Sequence, residues 1–165
     1  MAENIPASFE TALADVLRGY DIGAETMVRC WHVIRNDYKW QESVDRVLPC
    51  IDIRCSAPSM NDNQRTLSCS IAIGIMTHAE VDVDHAVISG VETSVQAALF
   101  SLFSGWADGS TDGDWASFNS AISNECPSVS IGGLTLGEPS APSQDGESNS
   151  VGLALTVHFC STSIH

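Results

Sequence analysis

The stretch RTLSCSIAIGIMTHAEVDVDHAVISGVETSVQAALF, residues 65–100, changes its hydrophobic period near its middle. Over residues 65–78 large apolar residues alternate with small ones, which is typical of a β-strand with two different faces. The small face holds Ser68, Ser70, Ala72 and Gly74. Such residues suit close cover by a helix or a neighbouring subunit. From residue 84 to 103 the period becomes helical, with a stripe of Val87, Val91, Val95, Ala98, Leu99 and Leu102.

The whole chain predicts elements in the order α-β-β-β-α-α-β-β. Helices are predicted at 6–18, 84–103 and 115–122, and strands at 27–35, 46–55, 65–78, 128–137 and 150–160. The segment 27–35 fits a strand or a helix, and its β-branched residues favour the strand. We interpret 105–122 as an insertion loop with a short helix, and the Pro-, Gly- and Ser-rich stretch 138–150 as a mobile hairpin loop.

This order of elements favours an α+β fold in one domain, residues 1–165. We expect a single mixed β-sheet of about four to five strands, with helices packed on one face.

Charge is distributed unevenly along the chain. Seven Lys and Arg face 21 Asp and Glu, a formal net charge of −14. All seven basic residues lie within residues 1–65, whereas residues 66–165 contain acids and no Lys or Arg. Such a surface cannot neutralise phosphates, which argues against ordinary nucleic-acid binding and against docking on anionic membranes. The acidity fits solubility, adaptation to a salty environment, or a surface that nucleic acid passes without binding.

Six cysteines are spread along the chain without a Cys-x-x-Cys pair. Several lie within apolar runs, which favours free buried thiols in a reducing compartment over disulfides or zinc ligands. The N-terminal MAENIPASFE lacks the basic region of a signal peptide, and we expect no apolar run long enough to span a membrane.

The stretch THAEVDVDHA, residues 77–86, holds two histidines and three carboxylates where the strand gives way to the long helix. On an extended strand His78, Glu80 and Asp82 lie too far apart to coordinate one metal ion easily. Asp82 or Asp84 can instead accept the free N–H groups at the start of the helix. We interpret the stretch as a helix cap.

The stretch DGSTDGDWASFN, residues 108–119, resembles the calcium loop of an EF-hand. Gly113 falls at its sharp turn, but Asn119 stands where a bidentate Glu is needed. Asp and Gly are also common in any tight loop before a helix. The calcium candidates are Asp108, Ser110, Asp112 and Asp114, and they imply a calcium-dependent binding module as an alternative function.

The sequence contains no G-x-S-x-G elbow, no P-loop and no dinucleotide fingerprint. His32, His158 and His165 are scattered, and His158 fits a structural role on a strand. We therefore predict that the protein is not an enzyme and has no catalytic residue, no cofactor and no firm metal site. Of the four tryptophans, Trp40 and Trp106 lie in polar surroundings that fit the core or a subunit contact equally.

The order of these elements resembles that of the tail terminator proteins of long-tailed bacteriophages. The resemblance is carried by an N-terminal helix leading into LPCIDI, by RTLSCSIAIGI running through THAEVDVDHA into the long helix, and by the closing strand SVGLALTVHFC after the QDGESNS loop. It covers most of the chain, but it is a likeness of layout without an invariant signature.

The resemblance implies a structural virion protein, assembled in the host cytoplasm, that forms a homo-hexameric ring at the head-proximal end of the tail. Such a ring ends the growth of the tail tube and joins the tail to the head. Its implied partners are other copies of the chain, the tail tube protein, a head–tail connector or neck protein, and viral DNA that passes through the lumen unbound. Another connector, neck or tail-completion protein is an alternative.

Overall fold

Two long antiparallel strands form the centre of the sheet in the computed structural model, which describes residues 3–34, 48–62 and 65–162. The helices are α1 (Ile5–Arg18), α2 (Trp31–Ile34), α3 (Ala86–Asp108) and α4 (Gly113–Glu125). The strands are β1 (Met27–Cys30), β2 (Cys50–Cys55), β3 (Ser59–Met60), β4 (Leu67–His78), β5 (Val129–Leu136), β6 (Ser143–Asp145) and β7 (Ser148–Ser161).

The sheet is mixed, with the order β1-β2-β4-β7-β5, and the short strands β3 and β6 pair with β4 and β7. Only β1 and β2 run parallel among the described pairs. The ladder between β4 and β7 is continuous from the pair Leu67–Phe159 to the pair His78–Ser148. The predicted α+β class with helices packed on a mixed sheet is therefore confirmed.

The sheet has seven strands instead of the predicted four to five. The additional strands β3 and β6 are two and three residues long and lie in segments that the sequence marks as loops. The stretch 138–150 thus contains β6, a turn through Gly146 at φ +58° and the first residues of β7. The stretch 27–35 divides into a strand and a helical turn, and its last residue lies outside the described part.

Helix α3 ends five residues beyond its predicted end and continues through Gly105. A Cβ at Gly105 would lie 2.5 Å from Cβ of Trp115, so the missing side chain allows α4 to pack closely against α3. The proposed insertion at 105–122 is therefore the end of α3 and most of α4, joined by a short turn.

The hydrophobic core lies between one face of the sheet and the helices. Phe9 of α1 packs edge to face on Phe159 of β7, with ring centroids 5.4 Å apart. The buried stripe of α3 consists of Ile88, Val91, Val95, Ala98, Leu99 and Leu102. Val87, which the sequence places in this stripe, is 47% exposed, because the stripe begins one residue later at Ile88.

By length and composition, α3 is the one described helix that could cross a membrane, so the expectation that no apolar segment is long enough was wrong. The buried stripe of α3 belongs to the hydrophobic core, together with residues of β4, β5 and β7. Its apolar character is therefore partly explained by core packing. The remaining side of α3 is also almost free of charge.

We expect Gly105→Ala to lower the free energy of unfolding by about 1–2 kcal/mol. The added methyl group overlaps Trp115, and this cost exceeds the gain in helix propensity. Urea denaturation followed by circular dichroism measures the change. The control is Ser104→Ala at the exposed neighbouring position, which we expect to stay within about 0.5 kcal/mol of the parent. Equal effects of the two variants would contradict this account of the α3–α4 contact.

Candidate functional site

The Asp82 carboxylate caps α3 from inside the protein. Its Oδ1 accepts a hydrogen bond from Val87 N at 2.9 Å, and its Oδ2 accepts one from Ile88 N at 3.0 Å. Thr77 Oγ1 donates a third bond to Oδ2 at 2.8 Å. Burial by itself raises the pKa of Asp82, but these donors outweigh it and the pKa lies below its ordinary value. The predicted cap is confirmed, with Asp82 as the principal acceptor.

Asn149 completes this buried group. Its Nδ2 donates to the backbone oxygen of Asp82 at 3.0 Å, and its Oδ1 lies 3.1 Å from His85 Nε2. The sequence analysis missed Asn149, although the alternation of β7 places it on the core face, two residues before Val151. His78 and Glu80 are exposed and do not join the carboxylate. The group is thus a structural junction between α3, β4 and β7.

A second buried carboxylate, Glu10, joins α1 to the edge of the sheet. Glu10 is fully buried. Its Oε1 accepts from His32 N at 2.6 Å, and its Oε2 accepts from Cys55 N at 2.8 Å and lies 2.6 Å from His32 Nδ1. The signal that sequence reasoning missed is that Glu10 falls on the buried face of α1, between Phe9 and Leu13.

A histidine held by a buried carboxylate also occurs in catalytic triads, where its second nitrogen meets a nucleophile. Within residues 3–34, 48–62 and 65–162, the hydrogen bonds of His32 all go to Glu10. The nearby thiol of Cys30 donates to the backbone oxygen of Glu10, and burial raises its pKa to about 11. Since a nucleophilic thiol needs a low pKa, this arrangement fits a structural contact.

The calcium candidates do not form a loop around a common point. Residues from Gly113 onward are helical, Asp108 is the last residue of α3, and Asp112 is the N-cap of α4. Oδ2 of Asp114 already accepts hydrogen bonds from Tyr20 and from Ser101, the latter at 2.8 Å. No group of three or more His, Cys, Asp or Glu suited to a metal ion occurs among the described residues. The EF-hand interpretation is therefore wrong in its geometry.

The remaining candidates are dispersed. His158 lies 3.0 Å from Thr135 Oγ1 across two strands, and Trp106 packs against the core beside Phe103. Trp40 and His165 lie outside the described residues. All six cysteines are free, five of them buried as predicted and Cys160 exposed.

A groove of about 780 Å³ lies between α1 and α4. Its lining is made of small and acidic residues, among them Glu3, Asp15 and Glu125. Sites for small molecules are usually enclosed and mainly apolar, with a few converging polar groups. This groove does not have that character.

The most distinctive surface is the side of the sheet opposite the core, here called the open face. On β4 and β7 its central residues are small and uncharged: Ser70, Ala72, Gly74, Gly152, Ala154 and Thr156. A Cβ built on Gly74 would meet no atom within 4 Å, so the described chain leaves the β4 side of this centre uncovered. On the β7 side, Ser140 lies against Gly152, with its Oγ 3.1 Å from a Cβ built there. We take the open face as the candidate interaction surface.

Among the described residues of the five main strands, the Arg and Asp side chains of the open face lie on β1 and β2. Arg29 binds Asp52 across the two strands through two hydrogen bonds of 2.7 and 2.8 Å. Arg54 is exposed, and its guanidinium lies 4.5 Å from the centre of the Trp31 ring. No carboxylate partner of Arg54 occurs in the described part of the chain. The open face therefore combines an uncharged centre with an exposed cation at one side.

No protein-family model matches this chain, and the comparison with curated proteins gives no match either.

We expect Asp82→Asn to lower the free energy of unfolding by about 1–3 kcal/mol, because an amide cannot accept from all three donors. The folded pKa of Asp82 lies below the unfolded value of about 3.9. The stabilisation is therefore complete above about pH 5 and is lost as the pH falls through the folded pKa. Urea denaturation at a series of pH values measures both effects.

The control is Asp84→Asn, since Asp84 is exposed and accepts a single bond from Ala86 N at 3.2 Å. We expect a change within about 0.5 kcal/mol for this variant. A constant stability difference between the parent and Asp82→Asn down to the acid transition would contradict the assigned role of the carboxylate.

We expect calcium to leave the thermal midpoint unchanged in the parent protein and in Asp108→Ala. Asp114→Asn should lower stability by about 1 kcal/mol with or without calcium, because it weakens the bonds from Tyr20 and Ser101. Thermal unfolding in chelator and in millimolar calcium measures this. A calcium-dependent rise that Asp108→Ala removes would restore the calcium module.

Proposed function

We propose that this protein is a structural subunit of a phage tail, a tail terminator that forms a ring at the head-proximal end of the tail tube. The observation that carries the proposal is the open face of the sheet. Helices α1 and α3 pack on one side of the central strands, and α4 packs on α1, α3 and β5. The other side of the central strands presents uncharged small residues. A surface of this kind is suited to contact with another protein subunit.

The charge distribution supports the same proposal. A ring around DNA needs a lumen that does not hold phosphates, and the segment from residue 66 onward has no Lys or Arg. Arg54, which is exposed and has no carboxylate partner among the described residues, can pair with acids of an adjacent subunit. Pairing of a cation on one subunit with acids at a different place on the next is a head-to-tail contact, which is the kind that closes into rings.

The layout of the chain adds to this support. The long strand β4 leads through the segment that contains Asp82 into α3, and the chain closes with a hairpin in which β5 and β6 both pair with β7, as the resemblance to tail terminators implies. Another connector, neck or tail-completion protein has a similar layout and is the second candidate. The two differ in partner, since a terminator binds the end of the tube and a connector binds the head.

The proposal is tested by the mass of the purified chain in solution. Light scattering in chelator and then in millimolar magnesium should give a closed species of six subunits, seen as rings by negative-stain microscopy. Mixing with phage tail tubes should place these rings at one tube end and stop tube growth. Duplex DNA should show no retardation by the rings in a gel at low salt.

A closed two-fold dimer as the only assembly would overturn the proposal, as would tight binding of duplex DNA. Rings that attach to head connectors and leave tube growth unchanged would contradict the terminator proposal and support the connector alternative.

A further inference from the structure

Two glycines of this protein have no explanation within one subunit. Glycine inside a helix or strand costs about 0.5–1 kcal/mol relative to alanine, so it usually answers a local need. Gly105 provides room for Trp115, and Gly133 lies against Trp106. Gly74 in β4 and Gly90 in α3 have ordinary, non-left-handed backbone torsions, and a Cβ on either would meet no atom within 4 Å in the described chain.

Gly90 belongs to the side of α3 that points away from the core, here called the outer face. Its exposed residues carry no charge before Asp108, the last residue of the helix: Ala86, Val87, Ser89, Gly90, Thr93, Ala97, Phe100, Ser104 and Ala107. Phe100 is 60% exposed. Thr93 Oγ1 donates to Ser89 O at 2.9 Å, so its hydroxyl is already bonded within the helix. A surface helix normally carries charged residues opposite its apolar stripe, so an outer face with one acid at its last residue is suited to contact with another surface.

Gly74 lies at the centre of the open face, opposite Gly152 in the β4–β7 ladder. This face and the outer face of α3 match in length. A helix of 23 residues is about 35 Å long, and a strand of 12 residues extends about 40 Å. Small residues at the centre of both surfaces allow two backbones to approach closely.

Charge selects between the ways in which two copies can meet. Contact of α3 with α3 places the basic-free segment 66–165 against itself, with Glu92 and Asp108 on both sides. Contact of α3 with the open face brings these acids to a surface that carries Arg54, an exposed cation without a carboxylate partner among the described residues. The second arrangement pairs opposite charges.

We infer that the outer face of α3 packs on the open face of the sheet of a second copy of this chain, with Gly90 and Gly74 at the centre of the contact. The inference rests on the proposed function, because it names the two surfaces through which the subunits of the ring meet. The contact is head to tail: each subunit uses its helix on one side and its sheet on the other. The helix of one subunit then lies on the sheet of the next, and this order repeats from subunit to subunit.

The test uses the full chain with Gly90→Lys, which blocks the helix surface, and Gly74→Lys, which blocks the sheet surface. Both positions have free space in the subunit, so both variants should keep the circular dichroism spectrum of the parent. Sedimentation velocity should show that each variant alone associates at least about 30-fold more weakly than the parent. Ser120→Lys, at an exposed position of α4, is the matched control and should assemble normally.

A mixture of the two variants decides the geometry. Gly74→Lys retains an intact helix surface and Gly90→Lys an intact sheet surface, so the mixture should form a one-to-one heterodimer and stop there. Loss of assembly in Gly90→Lys alone, without heterodimers, would mean a two-fold α3–α3 contact and would overturn the inference. Binding of the parent to anionic or neutral lipid vesicles that Gly90→Lys abolishes would mean a membrane occupant and would also overturn it.

A parent chain that stays monomeric at millimolar concentration would overturn the inference as well. If either lysine variant misfolds, Ala97→Lys and Ala72→Lys block the same two surfaces at other exposed positions. Failure here is distinguishable from failure of the proposed function. Rings that cap tail tubes without heterodimer formation would contradict this contact and support the proposed function. Heterodimers without capping of tail tubes would support the contact and contradict the proposed function.

Discussion

The pairing of β4 with β7 is the constraint on which the rest of the molecule depends. Because side chains on a strand alternate between two sides, one continuous ladder fixes the direction of every residue in both strands. Isoleucine, leucine, valine and phenylalanine on one side must be covered, and α1 and α3 cover them. The other side is then fixed as well, and on it stand serine, alanine, glycine and threonine. The core and the open face are therefore two results of a single register.

Two buried carboxylates attach the helices to this ladder. Glu10 anchors α1 beside β2 through backbone N–H groups, and Asp82 anchors the start of α3 beside β4. Among the described residues, the hydrogen-bond partners of each carboxylate are backbone N–H groups with one side chain, His32 for Glu10 and Thr77 for Asp82, and none is a Lys or Arg. Backbone donors thus provide the compensation that buried charge requires where lysine and arginine are scarce.

The sequence was most informative where one hydrophobic period continues over many residues without interruption. The alternation from Leu67 to Ile75 and the stripe from Val91 to Leu102 predicted β4 and α3, and the acids before the helix predicted its cap. Short elements such as β3 and β6 carry too few residues to show a period.

Gly105 marks a helix end in sequence, yet it serves the contact with Trp115. The EF-hand spacing failed because Asp114 belongs to a helix and binds Tyr20. The helical period of α1 and the alternation of β7 place Glu10 and Asn149 on the core face. Polar residues on a core face are overlooked when only apolar residues are counted.

The arrangement of the cysteines has a practical consequence. Burial raises the pKa of Cys30 and of Cys126, and the neighbouring Cys69 together with burial raises that of Cys55, so these thiols stay protonated at neutral pH. Cys160 is the exposed one, and the alternation of β7 places it on the open face. In alkylation chemistry the unmodified chain therefore behaves as a protein with one reactive thiol. A fluorescent or spin label can be attached to the native sequence at a single position, where its mobility reports whether the open face is covered.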